Sequence, residues 1–124
     1  MIAKNTSVIK IYNTLLVTVP ADPDDNTITE LQEHVLESME KCVAKGVILD
    51  ISMVETLDSF FARTITETIQ MVAVMGGDTV IAGMRPSVAI TAIQLGLNLG
   101  NVRTALNVEL ALDMVADFRP GGQK

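Results

Sequence analysis

Residues 47–52 read Val-Ile-Leu-Asp-Ile-Ser, and this short stretch decides the fold. Val47, Ile48, Leu49 and Ile51 form a nearly continuous apolar run, too short for a helix and without the alternation of a half-solvated strand. Such a strand is covered on both faces, which is the environment of a parallel strand at the centre of a sheet. On its N-terminal side Ile28, Leu31, Val35, Met39 and Cys42 recur at steps of three and four, laying one apolar stripe along a helix. Thr27 with Glu30 reads as that helix's capping box, and Lys41, Lys45 and Gly46 as its C-terminal charge and stop. On the C-terminal side, Ser52 to Leu57 is a connecting loop. Asp58 or Ser59 then caps a second helix running to about Val74, which Gly76, Gly77 and Asp78 terminate.

Working outward, Ser7 to Ile11 and Leu15 to Val19 are β-rich runs separated by Tyr12, Asn13 and Thr14, the pattern of a hairpin. Pro20 to Asn26 is a polar, proline-broken loop. Thr79 to Ala82 is another short strand, and Pro86 suits the first position of a helix ending near Gly96. Val102 to Leu106 is a fifth strand. Asn107 caps a last helix that places Leu110, Met114, Val115 and Phe118 on one side before Arg119, Pro120, Gly121 and Gly122 stop it. The order β-β-α-β-α-β-α-β-α predicts an α/β domain, a mostly parallel central sheet with flanking helices joined by right-handed crossovers. One domain is expected over residues 1–120, followed by a mobile tail at 121–124.

Composition sets the outer bounds. The chain has 124 residues, 48% hydrophobic and 19% charged, which suits one domain with a sizeable core. No apolar run approaches the roughly 18 residues of a membrane span, and residues 1–10 lack a signal-peptide pattern. The one cysteine, Cys42, cannot make an internal disulfide, and together these features lead to an expectation of the cytoplasm. A net charge of -6 with three Phe, one Tyr and no Trp offers neither a basic patch nor a stacking platform for nucleic acid.

The usual catalytic and ligand-binding patterns are missing. The only histidine, His34, lies mid-helix without a nucleophile partner and reads as an exposed helical residue, while Cys42 falls on the apolar stripe and reads as core. Zinc lacks ligands. Asp22, Asp24, Asn26 and Glu33 match part of a calcium loop, but Thr27 stands where that loop needs glycine and a strand precedes it. Acidic residues there instead complement a helix N-terminus. No glycine-rich phosphate loop occurs, and no cofactor is expected. A receiver phosphorylated at Asp50 would need a magnesium-holding acidic pair close after the first strand and a lysine ending the last. The nearest acids are separated from their strand by Pro20 and Ala21, and residues 102–108 contain Arg103 but no Lys.

What remains is Leu57-Asp58-Ser59-Phe60-Phe61-Ala62-Arg63. A serine at the start of a helix has its hydroxyl beside unpaired N–H groups and the positive end of the dipole, where a phosphate is tolerated. From local sequence alone Ser59 is either such a site or simply a cap. Phe60 and Phe61 cannot both pack inward, because consecutive helical residues point about 100° apart. Sheet topology should bring Met84 and Arg85 beside Ser59.

The stretch 47–52, then Leu57-Asp58-Ser59 opening a helix, then Ile81-Ala82-Gly83-Met84-Arg85-Pro86 and Leu95-Gly96-Leu97, resembles a STAS domain over essentially the whole chain. In anti-sigma-factor antagonists of that family the serine after the aspartate is phosphorylated, and here it is Ser59. The simple antagonists follow Asp-Ser with a small residue and glycine. Phe60 and Phe61 depart from this and are closer to the single-domain core proteins of the bacterial stressosome. The resemblance implies a non-enzymatic scaffold that holds an RsbT-type serine/threonine switch kinase until phosphorylation of Ser59 releases it to a downstream effector. It also implies co-assembly with RsbR-like paralogues bearing sensor domains, and reset by an RsbX-like phosphatase. Asp58, Phe60, Met84 and Arg85 are the expected partner contacts. The alternative within the same fold is a small-ligand or partner-binding module in which Ser59 is not a switch.

Overall fold

A computed structural model of the chain describes residues 7–97 and 102–115. Phe118, the stop at 119–122 and the tail at 121–124 lie outside the described residues. The elements follow the expected order: β1 (Ser7–Ile11), β2 (Thr14–Thr18), α1 (Asp25–Cys42), β3 (Gly46–Asp50), α2 (Ser59–Val74), β4 (Asp78–Ala82), α3 (Pro86–Gln94), β5 (Arg103–Ala105) and α4 (Val108–Met114).

The five strands lie side by side in chain order. β1 and β2 form an antiparallel hairpin, and β2 through β5 run parallel. β3 is central, and its residues show why the sequence lacks alternation there. Val47 and Leu49 join the core built by α1, α2 and α3, whereas Ile48 packs with Val80 and Ala82 against Ala111 and Val115 of the α4 end. All three β3 residues are at most 2% exposed, and burying each stabilises the fold by about 1.5–3 kcal/mol. The second face is covered only in part. Leu16, registered with Ile48, is half-buried, and Ile9, registered with Leu16, is exposed.

Expectations for the two ends of α1 and for the buried face of α4 change. Helix α1 starts at Asp25 with Asp24 as its cap, accepting the Thr27 N–H at 2.8 Å, so Thr27 is the third helical residue rather than the cap. Asp25, Asn26 and Thr27 thereby join the helix, and a carboxylate is a better acceptor there than a hydroxyl. The same helix ends not at Gly46 but at Val43, which takes the left-handed conformation (φ 52°) while its N–H donates to the Met39 carbonyl. Gly46 instead begins β3, its N–H donating to the Asn13 carbonyl at 3.2 Å. In α4 the buried contacts are Ala111 and Val115, and Leu110 is exposed. A small residue lets this short helix lie close on Ile48, Val80 and Ala82, so side-chain size misleads the phase.

The α1 stripe of Ile28, Leu31, Val35 and Met39 is buried as expected, with Cys42 at its end only half-buried and free. His34 is half-buried rather than exposed, and its Nδ1 is buried without a hydrogen-bond partner. No helix among the described residues is long and apolar enough to cross a membrane.

Candidate functional site

The parallel strands end level with one another. Val19 N–H donates to the Asp50 carbonyl and Ile51 N–H to the Ala82 carbonyl, both at 3.0 Å. This edge of the sheet therefore gathers the loops that lead into α1, α2 and α3. In the loop after β3, Asp50 folds its carboxylate back onto the Ser52 N–H at 3.0 Å, and Val54 and Leu57 are buried. Those two apolar anchors fix where the chain enters α2.

The helix opens on Asp58. Its carboxylate accepts the Phe61 N–H at 2.8 Å and its carbonyl accepts the Ala62 N–H at 3.0 Å, so Asp58 is the cap and Ser59 is the first helical residue. Ser59 is exposed, and its hydroxyl makes no hydrogen bond among the described residues. Behind it, Phe61 is 4% exposed, while Phe60 is half-buried against the same core, its ring 5.9 Å from the Arg63 guanidinium. The two rings thus divide as helical geometry requires.

Ser59 borders an open cleft whose walls are Ala62, Arg63, Thr66 and Glu67 of α2 and the turn Leu95-Gly96-Leu97 after α3. On its other flank Asp58 shares a shallow depression with Pro23, Asp24, Asp25 and Asn26, where the starts of α1 and α2 meet. The Thr27 N–H, and after it the Thr27 hydroxyl, hold the Asp24 carboxyl below its usual value of 3.8. Asp24 is committed to capping, and no group of three or more His, Cys, Asp or Glu among the described residues is arranged to hold a metal.

Asp58, Ser59 and Phe60 stand together because they are consecutive. Met84 and Arg85 do not line the cleft. Met84 is half-buried against the main core. Arg85 braces the loop before α2, its Nε donating to the Ser52 carbonyl at 2.8 Å and its Nη1 lying 3.8 Å from Glu55. Gly83 makes this close approach possible: its φ is +77°, and a Cβ there would lie 2.7 Å from Ser52 Cβ. Sequence reading missed Arg63, the Leu95–Leu97 wall and the meeting of Asp24 and Asp25 with Asp58. For Arg63 the signal was available, four residues after Ser59 on one helix. The other two depend on how loops distant in sequence meet.

Comparison with known proteins identifies this arrangement. Residues 5–111 match the STAS-domain family model, and the chain belongs to the STAS-domain family. It is similar to a serine-to-glutamate variant of RsbS from Moorella thermoacetica: 28% identity, TM-score 0.83, covering 93% of this chain and 97% of that one. A structure described as the molecular architecture of the stressosome, a signal integration and transduction hub, matches at 29% identity and TM-score 0.78, covering 90% of this chain and 97% of that one. Among curated proteins, the RsbT co-antagonist RsbRD of Bacillus subtilis is 34% identical over 89 residues, 72% of this chain and 32% of that protein. RsbRB of the same organism is 28% identical over 101 residues, 82% of this chain and 36% of that protein. The chain thus spans about a third of the length of these two relatives. Its relatives thus include RsbT co-antagonist proteins and a component of the stressosome, and the anti-sigma-factor antagonist SpoIIAA, at 12% identity and TM-score 0.68, shares the fold.

Proposed function

We propose that this protein is an RsbS-like scaffold and kinase substrate of a stressosome-type assembly rather than an enzyme. Unphosphorylated, it holds an RsbT-type switch kinase. Phosphorylation of Ser59 by that kinase releases it to a downstream effector, and an RsbX-like phosphatase restores the serine. RsbR-like paralogues with sensor domains share the assembly, which operates in the cytoplasm. The observation that carries this reading is Ser59 itself: exposed and with a free hydroxyl on the first turn of α2, because Asp58 has taken the capping role. The RsbS relative studied as a serine-to-glutamate variant adds support, since that change places a negative charge where a hydroxyl was.

The energetics are of the right order. Moving a bound kinase from 99:1 to 1:99 takes about 5.5 kcal/mol of differential affinity. A phosphate brings about -1.5 to -2 charge, here beside Asp58, Asp24 and Asp25. In a partly desolvated interface, like-charge contacts cost several kcal/mol. Phe60 supplies the partner contact beside the serine, the loop braced by Arg85 and the partly exposed Met84 supply further contacts outside the cleft, and Ile90 and Ile93 expose apolar surface on α3, which leads to the cleft wall.

The test is intact mass and peptide mapping after incubation with the cognate switch kinase, ATP and magnesium, with Ser59→Ala in parallel. One acid-stable phosphate on Ser59, lost in the variant together with kinase release, is expected. No phosphate, or an acid-labile one that survives the substitution, overturns the reading.

A further inference from the structure

Arg63 follows Ser59 by one helical turn, the i, i+4 relation that makes side chains neighbours on a helix surface, and both line the same cleft. Arg63 is exposed and makes no ion pair among the described residues. Its present contact is weak: at 5.9 Å from the Phe60 ring centre, the guanidinium sits at the outer limit of a cation–π interaction. Among the described residues, nothing in the unmodified chain therefore uses this cation fully.

We propose that Arg63 is the intramolecular counter-ion of phosphorylated Ser59, leaving the Phe60 ring to grip the phosphate and so changing the surface around Phe60 as well as its charge. The inference rests on the phosphoserine reading above. Phosphate needs such a partner here. Asp58 precedes it directly, Glu67 lies in the same cleft, and Asp24 and Asp25 lie beyond Asp58. The α3 turn contributes Leu95, Gly96 and Leu97 to the cleft, so Arg63 is the one cation among the described residues that line it. A guanidinium presents paired N–H donors that match phosphate oxygens, and the Ser59 and Phe60 N–H groups precede the first intrahelical bond and point the same way. The partner then loses two things at once, an uncharged serine and the Arg63-on-Phe60 arrangement. Charge added without that rearrangement reproduces the switch incompletely.

The experiment installs phosphoserine at Ser59 during translation and follows its second ionisation, ordinarily near pH 6, by phosphorus NMR. Arg63→Gln should raise that ionisation by about half a pH unit. Arg63→Lys should raise it less, keeping the charge but not the fork. Arg85→Gln, at the braced loop, should leave it in place. An unchanged titration in Arg63→Gln, or an equal rise in Arg85→Gln, overturns the assignment. Because the phosphate is installed without a kinase, failure of the kinase to modify Ser59 would sink the proposed function while leaving this titration to judge Arg63 alone.

Discussion

Helices α1 and α2 begin alike and diverge within three residues. Each is capped by an aspartate whose carboxylate takes the N–H of the third helical residue at 2.8 Å, Thr27 in α1 and Phe61 in α2. In both, that third residue is buried. The first two residues differ: Asp25 and Asn26 open α1, Ser59 and Phe60 open α2. The first turn of α1 already carries its own negative charge, whereas that of α2 has none. The same capping geometry thus yields a finished helix start in one place and, in the other, a hydroxyl where negative charge can still be added favourably.

The largest expected effect tests the third position. Phe61→Ala should lower stability by about 3–5 kcal/mol, because the ring is 4% exposed in the main core. Phe60→Ala, from a half-buried ring, should cost under about 1.5 kcal/mol and show instead as weakened kinase capture. Urea unfolding and a pull-down measure the two. Equal destabilisation would mean that both rings serve the core.

A smaller effect tests the cap. Asp58→Ala should cost about 1 kcal/mol, seen in the urea midpoint, with Asp58→Asn recovering most of it. Recovery of stability without recovery of kinase capture would separate the capping role of Asp58 from its charge.

The smallest effect is pH-dependent and belongs to α1. The Asp24 carboxyl is held below its unfolded value of 3.8, first by the Thr27 N–H and then by the Thr27 hydroxyl. A carboxylate lowered on folding contributes stability that is fully present above the unfolded value and is lost as pH falls through the folded one. The stability gap between wild type and Asp24→Asn, measured by urea at pH 7 and below pH 3.8, should therefore shrink in acid. A gap that stays constant would show that the charged form plays no part in the cap.

The order of strands and helices was readable from the chain because its punctuation is strong and β3 is apolar on both faces. Boundaries went astray where two residues competed for one role. Thr27-x-x-Glu30 imitates a capping box, yet Asp24 three residues earlier is the better acceptor. Gly46 looks like a helix stop, yet Val43 turns left-handed despite its branched side chain, and Gly46 goes to the sheet. At the site, Asp58, Ser59 and Phe60 were legible because they are contiguous. The use of Arg85 was not, since it depends on Gly83 letting the loop after β4 approach Ser52 within van der Waals distance. Met84 turns toward the core for a related reason, as the residue between that glycine and the brace.

The clamp on the loop before α2 bears on which enzymes can use Ser59. Val54 and Leu57 are sunk in the core, Arg85 ties Ser52, and Ser59 already belongs to a helix. A kinase acting here meets its acceptor in helical form and cannot draw the segment out as an extended strand without dislodging Phe61. Recognition must therefore read a folded surface, and a short synthetic peptide spanning residues 54–66 should be a far poorer acceptor than the intact domain.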